Sequence, residues 1–139
     1  MNDTTAKSSA EVFVAAFTDF WVSPCPQRLP ELLNDDVRLI QPLAPPTTGI
    51  LAAQRHFERF CRRLPGLPAD VDSCCGDGDL VFNEFTLHAR LGRDKLHCPN
   101  VNRLILRDSK AAERATYFDP LAVIPTLLRH PSVMWNWLR

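Results

Sequence analysis

The sequence predicts an α+β fold in which helices precede a mostly antiparallel sheet, followed by a helical tail. The first sign is a meander between Leu80 and Pro120. Three β-rich runs, 80–91, 95–107 and 111–119, are separated by the turn pairs Gly92-Arg93 and Asp108-Ser109. The second is helical spacing ahead of it. Phe13, Ala16, Phe17 and Phe20, closed by Trp21, form one apolar stripe; Ala53, Phe57, Phe60, Cys61 and Leu64 form another. A sheet curved around such a helix leaves a cone with an open mouth.

Taken in order, residues 1–8 are polar and are expected to fray. Ser8 and Glu11 have the spacing of a capping box, which starts a helix over about 9–21. Ser23-Pro24-Cys25-Pro26 breaks it, and 27–33 reads as a short helix weakened by Pro30. Asn34-Asp35-Asp36 reads as a turn and 37–41 as a strand stopped by Pro42. Residues 43–48, with Pro45-Pro46, form an irregular loop, and Thr48 can cap a helix running to about Leu64. Pro65 ends that helix. A strand over 69–75 follows, then a turn at Gly76-Asp77-Gly78-Asp79 into the meander. Residues 120–128 are helical in pattern despite Pro125, and 131–139 is a tail carrying Met134, Trp135, Trp137 and Leu138.

The turns also set which side chains share a face. A two-residue loop at Gly92-Arg93 pairs Leu91 with Asp94 and His88 with His97. Val81, Asn83, Phe85, Leu87 and Ala89 then share one face with Leu96, Cys98, Asn100, Asn102, Leu104 and Leu106. Either two-residue loop at the second turn adds Glu113, Ala115, Tyr117 and Asp119 to that face and sends Arg103, Arg107 and Arg114 to the other. The inner face is thus apolar with a few convergent polar groups, as in a small-molecule pocket. Asn83, Asn100 and Asn102 are the candidate ligand-orienting amides, because buried amides need partners. Phe85 on the sheet and Phe57 on the second long helix are the candidate apolar walls. Tyr117, the only tyrosine, could donate to an oxyanion or serve as a core aromatic.

The 139 residues suit one domain with one core, and 45% are hydrophobic. Sixteen basic and sixteen acidic residues cancel, which argues against a nucleic-acid or membrane-surface partner. No run is long enough to span a bilayer and no secretory leader is evident. Five cysteines without framework spacing fit a reduced, cytoplasmic setting. His88 and His97 alone do not make a coordination sphere, and His56 is placed at the surface, away from Ala53 and Phe57. No metal and no cofactor is called for.

Four local strings in this order resemble the nuclear transport factor 2-like superfamily and its SnoaL-like proteins: Leu33-Asn34-Asp35-Asp36-Val37, Leu64-Pro65-Gly66-Leu67, Arg107-Asp108-Ser109-Lys110 and Tyr117-Phe118-Asp119-Pro120. Ser109 departs from the glycine common at that turn. The resemblance implies a conical α+β barrel, commonly a homodimer, among whose members are polyketide cyclases, ketosteroid isomerases, limonene epoxide hydrolases, dehydratases and scaffolds without activity. It also implies an acid/base aspartate near the end of the last strand, which Asp119 matches. Ahead of Pro120, Asp119 is equally a standard helix cap. The epoxide hydrolase pattern needs an arginine between two acids inside the pocket, and the expected parity of Arg103 and Arg114 speaks against it. The expected function is acid–base chemistry of the isomerase, cyclase or dehydratase kind on a hydrophobic, carbonyl-bearing molecule. The alternative is a non-catalytic binding or dimeric assembly module.

Overall fold

The computed structural model describes residues 7–63, 69–132 and 135. Helix α1 spans Ser9–Val22, a 3₁₀ turn spans Pro26–Glu31, strand β1 Leu33–Ile40, β2 Thr47–Thr48, and helix α2 Ile50–Arg63. Strands β3 (Ala69–Asp77), β4 (Leu80–Leu91), β5 (Asp94–Arg107) and β6 (Lys110–Tyr117) follow, and helix α3 spans Pro120–Leu128. The string at Leu64-Pro65-Gly66-Leu67, residues 1–6, and Met134, Trp137 and Leu138 of the tail lie outside the described residues.

The strands form one curved six-stranded sheet in the order β2-β1-β6-β5-β4-β3. All neighbours are antiparallel except β1 and β6, which are parallel. The sheet does not close on itself; helices complete the cone. The predicted capping box starts α1. Ser8 Oγ accepts from the Glu11 amide at 3.2 Å, and Glu11 Oε2 accepts from the Ser8 amide at 2.9 Å. Phe13, Phe17 and Phe20 of α1 are buried against Val81, Phe85, Leu104 and Leu106. Each such side chain contributes roughly 1.5–3 kcal/mol by leaving water. α1 also crosses the sheet edge at Gly76, where a Cβ would meet the Ala10 side chain and the Leu80 carbonyl oxygen at 3.1 Å, so a larger residue there would push its neighbours by a few tenths of an ångström. A second cluster, Ala89, Leu91 and Cys98 with Val123 and Leu127 of α3, sits at the far end of the β4–β5 hairpin.

Asn34-Asp35-Asp36 is not a turn but part of β1. Its polar residues bulge out of the ladder, whose register on β6 slips from Leu33 opposite Ala111 to Arg38 opposite Glu113. Freed from pairing, Asn34 donates from Nδ2 to the carbonyls of Arg107 and Lys110 at 3.2 and 3.3 Å, and Asp36 pairs with Arg107. The expected irregular loop contains the two-residue strand β2, paired with Arg38 and Leu39.

The β4–β5 register matches the expected one throughout, with Leu91 opposite Asp94, His88 opposite His97, and Asn83 opposite Asn102. On the outer face the two histidine Nδ1 atoms lie 2.6 Å apart, and His88 Nε2 lies 2.8 Å from Asp70. The β5–β6 register is where expectation and structure part. The turn closes with Arg107 opposite Lys110 and Leu106 opposite Ala111, but Ile105 then lies opposite Glu113. Ala112 is an extra residue, a β-bulge, and it reverses the parity of everything after it. Arg114, Thr116 and Phe118 turn inward. Tyr117 is opposite Val101 on the outer face and 56% exposed, and Glu113 pairs there with Arg103 at 2.8 Å. The expected placement of Tyr117 on the inner face with the asparagines, and of Arg114 on the outside, is therefore overturned.

Candidate functional site

A cavity of about 520 Å³ lies within the cone, lined by residues of both core clusters. That volume is ordinary for a small-molecule site. Its aromatic wall is a continuous stack. Trp21 stacks on Phe85 at 6.0 Å and meets Phe57 edge-on at 6.1 Å, and Phe57 stacks on Phe60 at 6.0 Å. These contacts exist because α1 and α2 present aromatics at helical spacing toward the same strand. Leu87, Ala89, Leu91 and Cys98 continue the wall along the hairpin, and Val123 and Leu127 of α3 cover its end. Burial pushes the Cys98 thiol up, so it stays neutral and serves as apolar wall.

Of the residues singled out from the sequence, Phe57, Phe85 and Asn100 line this cavity. Asn83 and Asn102 face the same side and are 1% exposed, below the lining. Asn102 Oδ1 accepts from the Thr116 hydroxyl at 2.7 Å, while its Nδ2 and both amide atoms of Asn83 have no partner among the described residues. Asn100 donates to the Cys98 carbonyl at 2.7 Å. Asp119 is exposed, outside the lining, and its carboxylate accepts from the Leu121 amide at 2.9 Å as the cap of α3. Tyr117 is outside as well.

The residues missed are polar groups of the inner wall. His56 lines the cavity and meets Gln41 Nε2 through its own Nε2 at 2.7 Å. The signal was in the spacing: His56 is three residues after Ala53 and four before Phe60, at the edge of the buried stripe rather than opposite it. Arg114 came inside through the bulge. Burial pushes its guanidinium down to about 10, still charged at neutral pH, and its Nε has no partner among the described residues. No Asp or Glu is among the described residues that line the cavity. Nor do three His, Cys, Asp or Glu side chains come together as a metal site among the described residues.

A family model described as a SnoaL-like domain matches residues 14–114. The chain belongs to the SnoaL-like family. Asp119, expected from the resemblance to act as an acid/base, lies beyond the matched stretch. No curated protein sequence matches the chain. Solved structures agree on the fold. A putative SnoaL-like polyketide cyclase from Jannaschia sp. CCS1 superposes with a TM-score of 0.73 at 18% identity, over 89% of this chain and 94% of that one. IdmH, a putative polyketide cyclase from Streptomyces antibioticus, gives 0.70 at 18% identity, over 83% and 95%. An epoxide hydrolase of M. tuberculosis described as LEH-like gives 0.71 at 19% identity, over 91% and 94%. The SnoaL-like domain here thus has the nuclear transport factor 2-like cone shared by proteins of differing chemistry. No helix among the described residues is long and apolar enough to cross a membrane.

Proposed function

We propose that this SnoaL-like domain binds a hydrophobic, carbonyl-bearing small molecule in the cone and moves a proton on it without a cofactor, as an isomerase or cyclase does. The observation that carries this reading is His56, held by Gln41, in the wall of a cavity otherwise dominated by aromatic and aliphatic side chains. Imidazole is the side chain whose ordinary titration lies nearest neutrality, so it can take or give a proton there. The Asn100 side-chain amide lines the cavity and keeps a second N–H, beyond the one given to the Cys98 carbonyl, for a ligand oxygen. The aspartate expected for this role is engaged as a helix cap. A hydrolase acting on an epoxide through an arginine flanked by acids is not supported, since Arg114 has no carboxylate beside it in the described lining.

Proton abstraction is testable without the natural substrate. The α-protons of 2-tetralone exchange in deuterated buffer, and NMR reads the rate. Wild type should accelerate exchange, His56→Ala should lose about 10²–10⁴-fold of that acceleration, and Asp119→Asn should keep it. Undiminished exchange in His56→Ala would remove the catalytic assignment. The second reading, a binding module without turnover, is favoured by a lining without Asp or Glu among the described residues; saturable binding with no acceleration would establish it.

A further inference from the structure

We propose that the ligand carries a carboxylate and that Arg114 receives it. This rests on the cone being a ligand site, but not on any turnover there. Arg114 is brought into the cavity by the Ala112 bulge. Among the described residues no carboxylate pairs with it and no hydrogen-bond acceptor meets its Nε, although other buried charges of proteins are paired. Its neighbours in the sheet do not neutralise it. Glu113, adjacent in sequence, points to the outer face and is taken by Arg103 at 2.8 Å. Arg59, exposed on α2, lines the same cavity and adds a second positive charge. Trp21 Nε1 is a further buried donor without a partner among the described residues. The wall therefore offers two cations and a spare N–H, and no anion within the described lining.

A half-buried guanidinium with no counter-charge among the described residues is a receptor for an anion. A full and permanent charge calls for a full and permanent counter-charge, which distinguishes a carboxylate from an oxygen that becomes negative only during reaction. The planar fork of arginine matches the two oxygens of a carboxylate. The aromatic stack of Trp21, Phe57, Phe60 and Phe85 fixes the rest of the molecule as a flat or extended hydrophobic body. The class is an amphiphilic organic acid, aromatic or aliphatic, small enough for about 520 Å³.

The experiment is calorimetric titration of the whole chain with two acids and their methyl esters: 2-naphthoic acid and 4-phenylbutyric acid. Wild type should bind at least one acid about tenfold or more tightly than its ester. Arg114→Met should weaken the acid by about 10- to 100-fold, the range for losing a hydrogen-bonded charge, and leave the ester within about twofold. Ligand-free Arg114→Met should melt close to wild type or above it, because the half-buried guanidinium has no ion-pair partner among the described residues to lose. Arg114→Lys keeps the charge and loses the fork; it should bind the acid several-fold more weakly with the ester unchanged, and it decides the matter if the methionine variant does not fold. Equal binding of acid and ester by wild type, or an acid preference that survives Arg114→Met, overturns the carboxylate assignment and leaves the cavity reading standing. Binding of neither acid nor ester overturns the cavity reading, and this inference with it.

Discussion

At the scale of single residues, the sharpest contrast is between Asp119 and Arg114. Asp119 sits before a proline at the first helical position, and its carboxylate is held by the Leu121 amide. A residue used that way is replaceable by another good cap. Asp119→Asn should melt within a degree or so of wild type, whereas Asp119→Ala should lose about 1 kcal/mol, or about 3 °C for a chain of this size. Thermal melts check both, and a large loss in the asparagine variant would show that the charge itself matters. A second residue-level expectation concerns pH. The Arg107 guanidinium holds the Asp36 carboxyl below the usual carboxylate range. A depressed native value means the pair stabilises the fold above the ordinary carboxylate titration and loses that effect as pH falls through the native value. Melts of wild type and Asp36→Asn should therefore differ slightly at pH 7 and converge in acid. A difference that widened on acidification would contradict the assignment.

At the scale of elements, what could be read from the sequence and what could not divide at one inserted residue. Helices α1 and α3, the two hairpin turns and the whole β4–β5 register follow from capping residues, apolar spacing and turn chemistry, which are all local. Of the two loops open at the second turn, the one at Asp108-Ser109 is found, with Leu106 opposite Ala111. The count fails at Ala112 because a bulge has no obligatory composition, and alternation then resumes in the opposite phase. Charge pairing held the missing information: only the shifted register puts Glu113 within reach of Arg103. Asn34-Asp35-Asp36 failed for a related reason, since turn-forming residues serve equally well in a bulged strand that must satisfy a neighbouring loop. The second turn itself carries strain. Asp108 and Ser109 have φ of 55° and 62°, the left-handed pair of a type I′ turn. Aspartate tolerates that region better than serine. Ser109→Gly should raise stability by about 0.5–1 kcal/mol, read as a rise of about 2–3 °C in Tm; a fall would show that the Ser109 contact with Ser9 outweighs the backbone strain.

At the scale of the whole molecule, the curved sheet has two faces with different tasks. The inner one holds the cavity. The outer one exposes Phe82, Val101, Ile105 and Tyr117 among its charges. Contiguous exposed apolar surface of this kind is characteristic of an interface. We propose a homodimer through this face, with Tyr117 at the contact rather than in the pocket. Analytical ultracentrifugation at tens of micromolar should give a dimer, and Tyr117→Arg together with Val101→Glu should give a folded monomer. A monomeric wild type would end the proposal.

The central claim is that the cone is the ligand site, with His56, Arg114 and Trp21 in its wall and Tyr117 and Asp119 outside it. One measurement addresses it directly: ¹⁵N–¹H NMR of the side-chain N–H groups during titration with 2-naphthoic acid. Arg114→Lys assigns the arginine Nε–H signal, and Trp21→Phe assigns the indole. The account predicts that these two resonances shift together and saturate at one ligand concentration, while the Leu121 amide bonded to Asp119 and the amide of Tyr117 stay in place. Saturable shifts at Leu121 and Tyr117, with Arg114 and Trp21 unmoved, would contradict it.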